Sequence, residues 1–183
     1  MDALKLLLER RSCHALQVPG PQGESLRTIL RAGLRVPDFQ SLRPYEFVVA
    51  EGEGLDRLGE LFAQAARAAG KSDEMVERAK RMPHRAPVVI TVIARHKASQ
   101  IVRPLEQHLS AGCAVMAMQM AALAQGFAGV WRSGWLMFDP TLHQLLGLRP
   151  DDQIVGFLYL GTQGKPYDKP LSDPEPAEVT RWL

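Results

Sequence analysis

The chain of 183 residues is 46% apolar, 23% charged and 7% aromatic, the make-up of one ordinary soluble domain with a single substantial core. Its 22 basic and 20 acidic residues leave a net charge of +2 with the signs mixed, which excludes a nucleic-acid arm or an acidic tail but allows a small basic pocket. Two cysteines and five scattered histidines are too few for a disulfide scaffold and fit a reducing cytosol. Residues 2–10 place Leu4, Leu7 and Leu8 on one helical face, without the basic leader or cleavage site of an export signal. A second helix over 23–35 sets Leu26, Ile29, Leu30 and Gly33 at the three-to-four spacing and stops at Pro37. Pro44 leads into a strand over 45–50, followed by helices over 55–69 and 73–82. Val88–Ala94 is apolar on both faces, as a central strand covered by helices requires.

Ser110 is the expected cap of a helix running to Gln125, with Gly126 as its stop. Its stretch 111–124 is apolar except for Gln119, too short for the roughly 20 residues of a membrane span. A helix with almost no polar face must be enclosed by protein on every side, so a partner subunit is expected to cover part of it. A short strand follows over 129–131. Asp139 and Pro140 then open a helix that Gly147 closes, and the last strand covers 154–160. From 162 to 183 four prolines rule out a long helix, so the chain divides into a domain over 1–161 and an extended tail expected to lie on the partner. Strands interleaved with helices make the fold α+β or α/β.

The histidines lack the close spacing of zinc ligands, so no metal is expected. There is no serine elbow, no phosphate-cradling lysine loop and no dinucleotide fingerprint. What stands out is Arg10-Arg11-Ser12 at a helix end and Arg132-Ser133 after a strand. Cations at a helix C-terminus complement its dipole, and a loop arginine can simply be solvated. The same residues also form forks of guanidinium donors beside hydroxyls, a receptor for a phosphate monoester.

Three stretches together resemble the flavin-dependent nitroreductases: Arg10-Arg11-Ser12, the segment Ser-Leu-Arg-Pro-Tyr-Glu-Phe at 41–47, and Val-Gly-Phe-Leu-Tyr-Leu-Gly at 155–161. The helix Ser-Ala-Gly-Cys-Ala-Val-Met-Ala-Met-Gln-Met at 110–120 and Gly-Val-Trp-Arg-Ser-Gly at 129–134 resemble the short bacterial NAD(P)H nitroreductases within that family. The resemblance implies an α+β nitroreductase-like fold, a central mixed sheet flanked by helices, in an intertwined homodimer with FMN at each of two interface sites. It implies that Arg10, Arg11 and Ser12 hold the ribityl phosphate, with Arg132 and Ser133 in the same shell and Trp131 beside the ring. Arg35 and Phe39 would reach the flavin from the partner subunit, and Ala121, Ala122, Leu123, Ala124, Gln125 and Gly126 would contact the nicotinamide of NAD(P)H. The chain departs from the family pattern at Phe39, where close relatives carry histidine, at Arg43-Pro44-Tyr45, where the wider family prefers Gln-Pro-Trp, and at His14, which replaces a basic residue.

The implied activity is transfer of hydride from NAD(P)H through FMN to nitroaromatics, quinones or similar flat acceptors. Both half-reactions would share one open face of the ring, giving ping-pong kinetics. A soluble, cytoplasmic enzyme without nucleic-acid or membrane partners follows. A non-catalytic flavin-binding or interaction dimer, or another flavin reaction on the same scaffold, is the alternative.

Overall fold

The computed structural model describes residues 2–183. In chain order the elements are α1 (Ala3–Glu9), β1 (Leu16–Gln17), α2 (Gly23–Gly33), β2 (Tyr45–Glu51), α3 (Glu53–Ala68), α4 (Asp73–Lys80), β3 (Val88–Ala94), α5 (Pro104–Ala124), β4 (Ala128–Arg132), α6 (Pro140–Leu145) and β5 (Gln153–Gln163). Strands β2, β3 and β5 pair in that order, while β4 and then β1 run along the free edge of β5. The fold is α+β, and every strand pairing among the described residues is antiparallel, so the expected mixed sheet is antiparallel within the chain. Strand order rests on contacts distant in sequence, which local pattern does not encode.

Seven consecutive buried residues make β3 the central strand, as its two apolar faces demand. Val89 and Ile93 join Phe62, Phe157 and Tyr159 under α3, α4 and α6 on one face of the sheet. Val88, Ile90 and Val92 join Ile29, Val115 and Met118 under α2 and α5 on the other. The register slips by one residue where β3 meets β5: Val92 lies opposite Gly156 but Ile93 opposite Ile154. Val155 is therefore the extra residue of a bulge, which re-aims its side chain and carbonyl.

Helix α5 begins at Pro104 rather than at residue 110. Arg103 is its cap, and the Glu106 carboxylate accepts from the Arg103 backbone N–H at 2.7 Å, which together with Pro104 in the first turn fixes the start. The Ser110 hydroxyl instead donates to the Pro37 carbonyl at 2.9 Å, tying α5 to the segment after α2. Asp139 caps α6 as expected, accepting from the Leu142 N–H at 2.8 Å.

The enclosure expected around α5 is incomplete within one chain. Ala111, Ala114, Val115 and Met118 are buried, but Leu105, Leu109 and Cys113 form an exposed apolar row on the opposite side. Leu4, Leu7 and Leu8 of α1 are exposed as well, and α1 contributes no buried residue.

Candidate functional site

The end of α1, the middle of α5, β4 and the bulge of β5 border one open groove of about 610 Å³. Arg10, Ser12, Trp131 and Ser133 line it together with Met116, Gln119, Met137 and Val155. Arg10 reaches it because α1 ends there in an extended conformation (φ −53°, ψ 129°). Among the described residues Arg10 has no ion pair, so its guanidinium remains available to an anion beside two hydroxyls.

Trp131 forms the flat wall. Its indole N–H donates to the bulged Val155 carbonyl at 3.2 Å, and the ring lies so close over Gly156 that any Cβ there would overlap it. A Cβ added at Gly112 of α5 would lie 3.6 Å from the far edge of the same ring. Gln119, buried in the floor, donates through Nε2 to the Gly129 carbonyl at 3.1 Å, and the Cys13 N–H shares that acceptor at 3.0 Å. These two bonds hold the segment after Ser12 against β4.

The other expected site residues lie elsewhere. The Arg11 guanidinium stacks 4.0 Å over the Tyr167 ring and donates to the Lys169 carbonyl at 2.6 Å, so it anchors the tail. Arg132 follows Trp131 in a strand, and strict alternation turns its side chain through the sheet, toward Phe157 and Tyr159. Ser133 borders both spaces.

Arg35 lies beside Thr28 and Arg31 on the outer end of α2, away from the groove. Phe39 is exposed and borders a hollow of about 220 Å³ with Pro37, Leu109 and Cys113 at the first half of α5. It is presented by a strained turn: Gln40, Ser41 and Arg43 all have positive φ, and the Asp38 carboxylate accepts from the Leu42 and Arg43 N–H groups at 3.1 and 2.7 Å. Of the residues 121–126, Leu123 and Gly126 border a hollow of about 250 Å³ beside Arg10, Arg11 and Tyr167.

Met116, Gln119, Met137 and Val155 were not among the expected site residues. Gln119, the single polar residue in the apolar run, carried a signal; the others became neighbours only through the bulge and the turn after β4.

The nitroreductase family profile matches residues 7–162, most of the chain. The chain belongs to the nitroreductase family. Over 183 residues, the full length of both, this nitroreductase-family chain is 50% identical to the Escherichia coli K12 protein named "Putative NAD(P)H nitroreductase YdjA". It is 40% identical over 163 residues, 88% of this chain and 89% of the relative, to a Haemophilus influenzae protein named "Putative NAD(P)H nitroreductase". A nitroreductase-like family protein from Bacillus cereus shares the fold with a TM-score of 0.83 at 22% identity, covering 100% and 96% of the two chains. A Bacteroides fragilis nitroreductase crystallised with bound FMN superposes with a TM-score of 0.71 at 22% identity over 100% of both chains.

The groove fits such a cofactor on its own terms. It has an unpaired guanidinium and two hydroxyls for a phosphate, an indole wall for a flat ring, and a volume within the roughly 300–1,000 Å³ usual for ligand pockets.

Proposed function

We propose that the chain acts as a homodimeric FMN-dependent NAD(P)H oxidoreductase that reduces flat acceptors such as nitroaromatics and quinones by ping-pong kinetics. The observation that carries this reading is the convergence of Arg10, Ser12, Trp131 and Ser133 on one groove. Arg10 and Ser12 would hold the ribityl phosphate, Trp131 would border the ring, and the backbone around Ser133 would close its edge. FMN, when bound, supplies hydride acceptance from a reduced nicotinamide and electron delivery to the acceptor. No Asp, Glu, His, Lys or Cys lines the groove, so this chain's part is to bind and orient.

Arg35, Phe39 and the apolar row Leu105, Leu109 and Cys113 lie outside that groove, which is the arrangement a second subunit completes. The tail after 163, Arg11 at its root, would lie along the same partner, and residues 121–126 would meet the nicotinamide. An obligate interface of this kind buries roughly 2,000–5,000 Å². Sedimentation at micromolar concentration is expected to give twice the chain mass, and a stable folded monomer would overturn the dimer.

Among the described residues no helix is long and apolar enough to cross a membrane. Both cysteines are free, which suits a reducing cytoplasm.

The purified protein should be yellow, release FMN on denaturation and bleach when NADH or NADPH is added without oxygen. A colourless protein that cannot take up FMN defeats the reading; one that binds FMN but does not bleach is a flavin-binding dimer without this activity. Arg10→Ala should weaken FMN by about ten- to hundredfold, the worth of one charge-assisted hydrogen bond, and riboflavin far less. Equal losses for both ligands would place Arg10 at the ring or in the fold.

A further inference from the structure

On the α3 side of the sheet, behind Trp131, lies a small cavity of about 110 Å³. Phe62, Trp135, Phe157 and Tyr159 give it aromatic walls, and its polar lining comes from Arg85, Arg132 and Ser133. Strand alternation sends Arg132 into it, and Arg85 reaches it from the turn Pro83–Arg85 just before β3. We propose that this cavity is a binding site for a small oxyanion, a carboxylate or phosphate group, separate from the flavin groove.

The case rests on charge without a counter-charge. No carboxylate lines the cavity, and among the described residues neither Arg85 nor Arg132 forms an ion pair. The Arg132 Nε is fully enclosed and has no hydrogen-bond partner. Its guanidinium has only the Tyr159 ring, 5.4 Å from the centroid, and the His14 imidazole Nδ1 at 3.4 Å. Burial lowers the Arg132 pKa, and the neighbouring Arg85 lowers it further. Burial likewise raises the Tyr159 hydroxyl, while the two arginines pull it back.

Elsewhere the chain treats a partly buried arginine differently: Arg95 is met by both Glu46 and Asp152. A buried unpaired cation is costly, and an anion seated between two guanidiniums removes that cost. At about 110 Å³ the cavity has room for an anionic head group and lies well below the roughly 300–1,000 Å³ of pockets that take cofactor-sized ligands. Arg85 is exposed, so it stands at the mouth and Arg132 at the back.

The test titrates the protein as purified, flavin included, with sodium phosphate and with sodium acetate, against sodium chloride at matched ionic strength. Isothermal calorimetry should show saturable binding of at least one oxyanion at one per chain, with flavin still bound. The phosphate and acetate arms tell which head group the site prefers. Arg85→Gln, a change at an exposed position, should weaken that binding about tenfold or more and leave FMN content unaltered. Arg132→Gln should weaken it as well.

A response no larger than chloride gives, or unchanged binding in Arg85→Gln, overturns the proposal. Release of flavin by phosphate also overturns it, because the anion would then be occupying the cofactor's own phosphate site. That this site is distinct from the cofactor's rests on the proposed flavin groove. A colourless preparation that cannot take up FMN yet binds oxyanion through Arg85 would sink the flavin reading and leave this site standing.

Discussion

Asp152→Ala should destabilise the protein by about 3 kcal/mol, near the low end of the roughly 3–5 kcal/mol lost on breaking a buried ion pair. The Asp152 side chain is fully buried just before β5, and it joins the ends of two strands. It accepts from Arg95 Nη1 at 2.8 Å and from the His96 N–H at 2.9 Å, both just past β3. It also accepts from the Arg149 N–H at 2.9 Å and from Arg149 Nη2 at 2.8 Å. The loss falls at the low end because Arg95 keeps Glu46 and the Arg149 side chain is largely solvated. At 2–4 °C per kcal/mol for a chain of this size, the melting midpoint should drop by about 6–12 °C.

The same group sets an acid limit. Burial pushes the Asp152 carboxyl up, but hydrogen bonds from Arg149, Arg95 and the His96 backbone outweigh it and hold the carboxyl well below the usual carboxylate range. A depressed folded pKa contributes stability that is present above the unfolded value, about 3.9, and is lost as pH falls toward the folded one. Denaturation followed from pH 7 down to pH 2 should therefore show a steeper acid loss in wild type than in Asp152→Ala below about pH 4. Parallel curves would mean that Asp152 is not ionised in the fold.

Elements written by local chemistry were legible in the sequence. Six apolar residues around Thr91 made β3 a central strand, and Asp139 before Pro140 marked the start of α6. The start of α5 was misplaced because Ser110 is a good cap by type, whereas Pro104 and Glu106 define the true first turn. The candidate site was legible in part. Arg10, Ser12, Trp131 and Ser133 meet in the groove, yet Arg132, read in line with them, faces the other side of the sheet. A two-residue period separates neighbours in a strand even when a motif lists them together. Arg11 was out of reach for another reason. Its partners, Tyr167 and Lys169, lie over 150 residues away in a segment without periodic pattern.

Gly156→Ala should displace Trp131, because a Cβ at that position overlaps the indole while the backbone itself would accept alanine. Trp131 cannot retreat without cost, because its N–H is held by the Val155 carbonyl at 3.2 Å and moving the ring gives up that bond. Overpacking of this kind typically costs about 1–3 kcal/mol, and here it also moves the wall of the groove. Stability and FMN affinity should therefore fall together, with a change in tryptophan emission. The decisive measurement is a double-mutant cycle with Trp131→Ala. If the indole is what the new methyl meets, Gly156→Ala should cost almost nothing once Trp131 is gone, so the two losses will not add. Additive losses would show that glycine at 156 serves the bulge rather than the ring beside it. The distinction matters for function, since only the first outcome makes the bulge of β5 the device that sets the position of the groove's flat wall.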